Sequence, residues 1–273
     1  MVNAFFVIFT GMLILGYLER KFPNYSLPTK KGWLLRATLF NMMQLIITAL
    51  GYYTWEYWFA TNSNIFNLKT LVTPFFGGLI AYIINAWIFY WWHRFRHESN
   101  LMWLLFHQLH HSPQRIEVIT SFYKHPFEVI LNSIIITILV YPILGLSVEG
   151  NGWLSIFSAF GEFFYHLNIK TPHWIGYILQ RPESHVYHHL RDRILCCNYS
   201  DFAFIDFLGG TLYNPEPDEK FDAGFSNDTE EDVVSMLICK NVIKNKKLKI
   251  LLFYFFIGNF NLTQTLYYAI IMS

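Results

Sequence analysis

Long apolar segments without charges are the feature that most constrains the fold of this chain. Residues 2–18 and 71–92 contain no Asp, Glu, Lys or Arg, and residues 37–59 contain only Glu56. A membrane-spanning helix needs about 20 mostly apolar residues to cross a hydrocarbon core of about 30 Å. Only 14% of the residues are charged, against about 25% in typical soluble domains. These segments therefore predict three transmembrane helices.

Two further apolar regions are less regular. Residues 127–148 are followed by Gly150-Asn151-Gly152 and by apolar residues 153–165, which predicts a helical hairpin that enters the membrane and returns to the same side. Residues 250–272 follow a basic segment and are typical of either a terminal span or a helix in the membrane interface. The chain then divides into N-terminal transmembrane helices (1–70), a histidine-rich domain (71–215), a polar linker (216–248) and a C-terminal hydrophobic helix (249–273).

The distribution of basic residues orients the predicted helices. The loop between the first two helices contains five Lys and Arg residues, whereas the loop before the third contains only Lys69. Because cytoplasmic loops are enriched in Lys and Arg, the first loop is predicted to be cytoplasmic and the N-terminus to lie outside. The third helix then ends on the cytoplasmic side at Trp92, next to the first histidine. The sequence thus predicts an all-α fold, a polytopic transmembrane helical bundle whose histidine-bearing segments all lie on the cytoplasmic side.

The histidines are confined to one part of the chain. All eleven lie between His93 and His189, and eight of them form three clusters: HxxxH at 93–97, HxxHH at 107–111 and HxxHH at 185–189. Residues three or four apart share one face of a helix, so each cluster can direct two imidazoles to one point. His110 and His188 are rotated by about 100° from their neighbours. Packing or an interfacial position explains one such cluster but not three, so the spacing predicts a histidine-rich site for two metal ions.

The type and number of ligands narrow the chemistry of this site. A structural zinc site needs four ligands and usually includes cysteine, whereas eight or more imidazoles suit two ions. Imidazole binds iron, copper, zinc and nickel, so the residues alone leave the metal open. The zinc-protease motif HExxH is absent, because Leu101 stands where its second histidine would follow His97-Glu98. A bis-haem cytochrome is excluded because the clusters lie beyond the predicted helix ends.

The three clusters resemble the histidine boxes of the fatty acid hydroxylase superfamily, also called the sterol desaturase family. The similarity extends to residues 106–112 (FHQLHHS), to residues 121–126 (SFYKHP), and to a tail from Asn198-Tyr199 through Asp206 to Gly209-Gly210-Thr211. It covers roughly residues 89–213, close to half of the chain. The resemblance implies that residues 71–215 are a catalytic domain with a non-haem di-iron site, on a four-helix transmembrane scaffold with a cytoplasmic cap. Zinc is a further metal that such a site could hold in purified protein.

The resemblance also implies which residues form the site. The catalytic metal ligands would be His93, His97, His107, His110, His111, His185, His188 and His189, with His125 and His166 as further ligands. Glu162 stands where some family members have another histidine; we expect it to coordinate metal, to hold a histidine tautomer, or simply to lie on the helix surface. For Asp206 we expect a hydrogen bond to an imidazole N–H, and for Asn198 a role in orientation near the metals. His173 is as consistent with a structural role as with metal binding.

These implications predict a membrane-bound, O2-dependent oxidoreductase of lipid biosynthesis that hydroxylates or desaturates a fatty acyl, sterol or sphingolipid-like substrate. The chain has no GxGxxG motif after a strand, no haem-binding His-Pro-Gly-Gly and no cysteine set for an iron–sulfur cluster. A ferredoxin, cytochrome or flavoprotein reductase is therefore expected to donate electrons. An alkylglycerol ether-cleaving monooxygenase and a non-enzymatic membrane metal-binding protein or transporter remain alternatives. Nucleic acid is not an expected partner, because the net charge is only +1.

Overall fold

The computed structural model describes residues 3–60, 64–194 and 197–243. Within these ranges the chain is all α-helical, with short π and 3-10 turns and no β-strand, as the sequence predicts. The predicted C-terminal helix at 249–273 lies outside the described residues. The α-helices are α1 (Ala4–Lys21), α2 (Trp33–Gly51), α3 (Tyr57–Ala60), α4 (Pro74–Glu98), α5 (Asn100–Met102), α6 (Gln108–His111), α7 (Pro126–Ile138), α8 (Val148–His166), α9 (Pro182–His188), α10 (Ala203–Leu208) and α11 (Val233–Leu237). Turns of π-helix at Tyr52–Glu56, Trp103–His107 and Leu139–Leu144 extend several of them, and 3-10 turns form at Leu68–Thr70, Val118–Thr120, His173–Tyr177 and Asn227–Glu231.

Three helical segments within the described ranges are long and apolar enough to cross a membrane. They are Trp33–Ala60, Pro74–Glu98 and Pro126–Leu144, and they confirm three of the predicted apolar segments. The first predicted segment also forms a helix, α1, but its last turn contains Glu19, Arg20 and Lys21, and it is not among these three. Large apolar side chains such as Phe6 and Leu13 are more than half exposed along α1.

The turn between α7 and α8 lies earlier than the sequence predicts. Val148–His166 is one continuous helix that includes Gly150-Asn151-Gly152, so these residues are not the turn. The chain instead reverses at Gly145, whose φ of 63° is in the left-handed region that favours glycine. Ser147 then caps α8, because its hydroxyl oxygen accepts a hydrogen bond from the Gly150 N–H at 3.1 Å. Gly78 of α4 allows this part of α8 to pack closely, since a Cβ on Gly78 would lie 2.8 Å from the Gly150 carbonyl oxygen.

The helices pack so that the histidine-bearing segments meet at one end of the bundle. α8 packs along α4 and α1, while α7 packs against α2. The start of α7 and the end of α8 lie side by side. Lys124, just before α7, forms an ion pair there with Glu162, near the end of α8. The basic loop after α1 lies against the same end, where Arg115 donates a 2.7 Å hydrogen bond to the Pro28 carbonyl oxygen. The basic loop and the histidines therefore share one side of the molecule.

The described part of the predicted polar linker, residues 216–243, packs onto the histidine-bearing end of the bundle, which we call the cap. Phe225 is 1% exposed within the main hydrophobic cluster. Glu230 is fully buried and forms ion pairs with Lys30 at 3.0 Å and Arg36 at 3.3 Å. At Phe225 and Glu230 the segment is therefore not a solvated linker, because Phe225 packs in the hydrophobic cluster and Lys30 and Arg36 neutralise the buried carboxylate.

Glu19 joins α1 to the cap and should make the stability of the fold depend on pH. Its carboxylate is 3% exposed and accepts hydrogen bonds from the N–H groups of Val118 at 2.9 Å and Asn168 at 3.2 Å. Burial raises the pKa of Glu19 from 4.5 to about 7. Between these two values the native protein binds more protons at this residue than the unfolded chain does, so this contribution to stability falls as the pH rises and is constant above the folded pKa.

We therefore expect Glu19→Gln to gain stability over the unchanged protein as the pH rises from about 5 to 8, by up to about 3 kcal/mol. The amide oxygen can still accept both N–H groups, while the buried charge is gone. Thermal unfolding in detergent at four pH values would measure the difference. Parallel pH profiles for the two proteins would contradict the assignment.

Candidate metal centre

Nine histidines converge into two groups. His93, His97, His107, His111 and His188 form the five-histidine group, and His110, His166, His185 and His189 form the four-histidine group. In each group the ligand atoms all lie within 4.8 Å of one another. The groups adjoin, because the ring of His111 stacks on that of His189 with centroids 4.0 Å apart. The rings therefore converge on two neighbouring centres.

Helical geometry explains how the clusters divide between the groups. His93 and His97 lie one turn apart at the end of α4 and both join the five-histidine group. His107 and His111 join the same group, while His110 turns to the other. The third cluster divides in the opposite sense, with His185 and His189 in the four-histidine group and His188 in the five-histidine group. His166, at the end of α8, completes the second group.

The distances between ring nitrogens fit metal coordination. Nε2 of His107 lies 2.9 Å from Nε2 of His93 and 3.2 Å from Nε2 of His111. In the other group, Nε2 of His185 lies 3.1 Å from Nε2 of both His166 and His189. Two nitrogens at right angles around one ion, each bound at about 2.1 Å, are separated by about 3 Å. The buried Nε2 atoms of His97 and His188 have no hydrogen-bond partner among the described residues. The residues present therefore fit one metal ion in each group.

Contacts behind the rings fix which nitrogen faces each centre. Backbone carbonyl oxygens contact the outward Nδ1 atoms in five cases: Tyr199 with His93 at 2.9 Å, Cys197 with His188 at 2.6 Å, Glu162 with His166 at 2.8 Å, Tyr123 with His110 at 3.3 Å, and Ile194 with His97. A carbonyl oxygen can only accept, so each Nδ1 must carry the proton. Each Nε2 is then the free lone pair that a metal requires.

His107 has a charged partner in place of a carbonyl. Its Nδ1 lies 3.3 Å from Oε1 of Glu128, at the start of α7, and 3.2 Å from Nη1 of Arg96. The same carboxylate forms an ion pair with Arg96 of α4. Glu128 and Arg96 are 0% and 4% exposed. A carboxylate behind a ligating histidine orients the ring and increases its basicity, so Glu128 is a positioning residue for the five-histidine group.

The histidines are held in their neutral form. Burial is the largest cause that lowers the pKa of His107, His110, His111, His185 and His189 well below 6.5, and it lowers the pKa of His188 to about 3. Neutral imidazole is the form that binds metal. The site can therefore bind metal at neutral pH without first losing protons from its ligands.

The structure places His125 and His173 outside both groups. Nδ1 of His125 accepts a hydrogen bond from the Phe127 N–H at 3.2 Å, which caps α7, and its Nε2 contacts the Leu237 carbonyl oxygen at 3.2 Å. His173 lies in the 3-10 turn before α9, where its own carbonyl oxygen accepts a hydrogen bond from Asn214.

Glu162 and Asn198 are also near the centre without facing it. The side chain of Glu162 pairs with Lys124, while its backbone carbonyl holds His166. Asn198 has a φ of 57° and ties the loop after the third cluster to α9, because its amide nitrogen donates to the Ser184 carbonyl oxygen at 3.1 Å. Its amide oxygen accepts from the Tyr213 N–H at 2.8 Å.

Asp206 acts on the centre through a backbone group. Its carboxylate accepts hydrogen bonds from the N–H groups of Tyr199 at 2.7 Å and Ser200 at 2.9 Å, and from the Thr211 hydroxyl at 2.7 Å. The Tyr199 carbonyl in turn contacts His93. Within the described residues Asp206 therefore holds His93 through Tyr199, where a direct bond to an imidazole was expected.

We expect Asp206→Ala to weaken metal binding by about 10- to 100-fold, as losses behind ligating histidines do. The reason is that two buried N–H groups lose their acceptor, at about 1–3 kcal/mol each, and the Tyr199 carbonyl is freed to move away from His93. Equilibrium metal titration of the purified variant measures the loss. Unchanged metal content and turnover would rule out this role.

Sequence reasoning missed Arg96 and Glu128 as parts of the centre. Glu128 was visible as a carboxylate in the first turn of a very apolar helix. Ionisable residues inside membrane segments usually pair with another group or mark a functional site, and this rule would have selected it. The carbonyl contacts could not have been found in this way, because every residue has a carbonyl.

Comparison with known proteins gives an independent result. The family model described as fatty acid hydroxylase matches residues 78–211, a range that contains every member of both histidine groups. The chain is 27% identical over 181 residues to "Very-long-chain aldehyde decarbonylase GL1-5" of Oryza sativa subsp. indica, which covers 59% of this chain and 28% of the relative. It is 27% identical over 167 residues to "Ornithine lipid hydroxylase OlsE" of Rhizobium tropici, which covers 59% of this chain and 49% of the relative. The chain thus spans at most about half the length of these relatives, and no solved structure matches it significantly.

One relative is named for a reaction on very-long-chain aldehydes and the other for hydroxylation of ornithine lipid. The matched range contains the part of the chain that builds the two histidine groups. Residues 78–211 thus form a fatty acid hydroxylase domain, which together with the two relatives supports a place for the chain in the fatty acid hydroxylase superfamily.

Proposed function

We propose that the protein is a membrane-bound, non-haem di-iron oxidoreductase that uses O2 to hydroxylate or desaturate a lipid. The observation that carries the proposal is the pair of adjoining, buried histidine groups with five and four ligands. Nine imidazoles are more than structural zinc uses, and an open position in each group would suit a redox metal that must bind O2. Bound there, two irons would supply the oxidation of an unactivated C–H bond.

The chain's own residues contribute position and the exclusion of water. Carbonyl contacts behind five of the nine rings, and Glu128 behind His107, hold these ligands in place. All members of the groups except His93 are buried. His93 is partly exposed and lies at the end of the transmembrane segment Pro74–Glu98. A lipid that enters from the bilayer would therefore reach the centre beside His93. The basic loop that lies against the cap supports a cytoplasmic location for the site.

The overall reaction needs electrons from another protein. Hydroxylation consumes O2, two electrons and two protons and gives the alcohol and one water; desaturation consumes the same reactants and gives the alkene and two waters. No motif for a flavin, haem or iron–sulfur group is found in the sequence. A ferredoxin, cytochrome or flavoprotein reductase is therefore the electron donor in this proposal, and a lipid is the substrate.

The test is oxidation of lipids by the purified, iron-loaded full chain in bilayers with a chemical reductant. Mixed fatty acyl, sterol, sphingolipid, ornithine lipid and long-chain aldehyde substrates are incubated with labelled O2 and analysed by mass spectrometry. A gain of one labelled oxygen indicates hydroxylation, and a loss of two hydrogens indicates desaturation. His188→Ala is the inactive control. Iron-loaded protein that changes no lipid, but carries metal into vesicles without O2, would support a transporter and contradict the proposal.

A further inference from the structure

The segments around α9 and α10 expose an unusual number of large apolar side chains outside the three candidate spans. Phe204, Phe207 and Leu208 are 46%, 71% and 54% exposed, and lie on one face of α10. Trp174, Tyr177 and Ile178 are 62%, 62% and 55% exposed in the adjoining segment. We call these six residues the apolar wedge. The two segments are joined, because the Ala203 N–H donates a 3.1 Å hydrogen bond to the Ile178 carbonyl oxygen. A contiguous patch of this kind marks an interaction surface.

The position of α10 beside α4 gives the depth of the wedge. Ile205, on the opposite face of α10, packs against Ala86 and Tyr90 of α4. The ring of Phe202, just before α10, lies 5.2 Å from that of Tyr82, which is further from His93 along α4 than Ala86 is. Ala86 and Tyr90 precede His93 by seven and three residues, which is about 10 and 5 Å along a helix axis. The wedge therefore lies beside the transmembrane segment Pro74–Glu98 and not above its end.

The chemistry of the wedge also matches a lipid environment. Residues 171–180 contain no Asp, Glu, Lys or Arg, and residues 202–213 contain only Asp206, which is 1% exposed. Trp87 and Trp91, on the exposed surface of α4 at the same level, are 42% and 41% exposed. Aromatic side chains are typical of the boundary between headgroups and acyl chains. The surface that α4 presents to lipid thus continues across the wedge.

From these observations we infer that the apolar wedge is embedded in the membrane leaflet on the histidine side, with α10 lying in the interface and its Phe204–Phe207–Leu208 face among acyl chains. An interfacial helix buries its apolar face by about 5–10 Å, the depth given by the contacts with α4. The inference rests on α4 crossing the membrane and is independent of the reaction proposed above.

This placement couples the membrane to the metal centre. The segment that carries the wedge begins with Tyr199, whose carbonyl holds His93, and it includes Asp206, which holds Tyr199. Lipid contact on one face of α10 and ligand positioning on the other therefore depend on the same short helix. The wedge would keep the five-histidine group at a fixed height above the acyl chains.

Fluorescence quenching of a dye at single cysteines tests the depth. In a background with the three native cysteines replaced by alanine, Phe207→Cys and Trp174→Cys are labelled with an environment-sensitive dye, and the full chain is placed in bilayers. Met42→Cys, 54% exposed on the transmembrane helix α2, is the lipid reference, and Glu216→Cys, on the exposed surface, is the water reference. Quenching by a doxyl-labelled lipid reports contact with acyl chains, and quenching by iodide reports contact with water.

We expect both wedge positions to match Met42 in lipid quenching and to be protected from iodide. Quenching by iodide as strong as at Glu216, with no lipid quenching, would overturn the inference and leave the patch as a docking surface for another protein. Phe204→Cys and Tyr177→Cys repeat the test on the same surface if a first variant aggregates. Gel filtration and retained metal content show which variants are folded.

Discussion

Replacing Glu128 with alanine is expected to destabilise the protein by about 3–5 kcal/mol, because the Arg96 charge is left buried without its partner. It should also weaken metal binding at the five-histidine group by about 10- to 100-fold, since His107 loses the carboxylate behind its ring. Glu128 Oε1 contacts both residues: it forms an ion pair with Arg96, and it lies 3.3 Å from His107 Nδ1. Thermal unfolding and metal titration measure the two effects separately.

Two matched variants separate charge from ring orientation. Glu98→Ala removes the carboxylate of a more exposed ion pair with Arg94 on the same helix, and should cost less than about 1 kcal/mol. The double variant Arg96→Met/Glu128→Leu removes both buried charges, so its stability should recover much of the loss. Its metal affinity should stay low because His107 is still without a partner. Full recovery of both properties would show that Glu128 does not orient His107.

Loss of one ligand from each histidine group is expected to remove one iron at a time. His185→Ala leaves three imidazoles in the four-histidine group and should empty it. His188→Ala leaves four in the five-histidine group, so its iron should bind more weakly and be lost on extensive dialysis. After dialysis each variant should retain about one iron of two and lose lipid oxidation, since the proposed chemistry needs both metals. Iron analysis and the lipid assay measure these results.

His173→Ala and His125→Ala are the matched controls for that experiment. Both side chains lie outside the groups, so both variants should keep two irons per chain. His125→Ala should in addition lose about 1 kcal/mol of stability, because the cap of α7 is removed. Loss of an iron in His125→Ala, or retention of both irons in His188→Ala, would contradict the ligand assignment.

The sequence predicted those parts of the structure that follow from local periodicity. Charge-free apolar segments were sufficient to locate the three candidate spans, since their length depends only on bilayer thickness. The division of the second cluster, with His107 and His111 on one side and His110 on the other, follows from 3.6 residues per turn alone. The turn at Gly145 was missed because the glycines at 150 and 152 gave an equally good turn pattern, and only the cap by Ser147 decides between them.

The features that the sequence did not predict depend on contacts between distant parts of the chain. Glu128 reaches Arg96 across 32 residues, and the Ile194 carbonyl reaches His97 across 97. Asp206 acts through a backbone group that no motif identifies. The acidic segment after residue 215 reads as a solvated linker until Lys30 and Arg36 are placed beside Glu230. Such pairings are fixed by how the helices pack, and spacing along the sequence does not contain them.

Anaerobic titration of the metal-free, full-length protein with Fe(II) tests the central claim most directly. Two adjoining groups of histidines should bind two irons per chain, and X-ray absorption should show coordination by imidazole nitrogen and oxygen without sulfur. Binding of a single iron, or of none, by protein that is folded in bilayers would contradict a two-metal centre and the oxidation chemistry that depends on it.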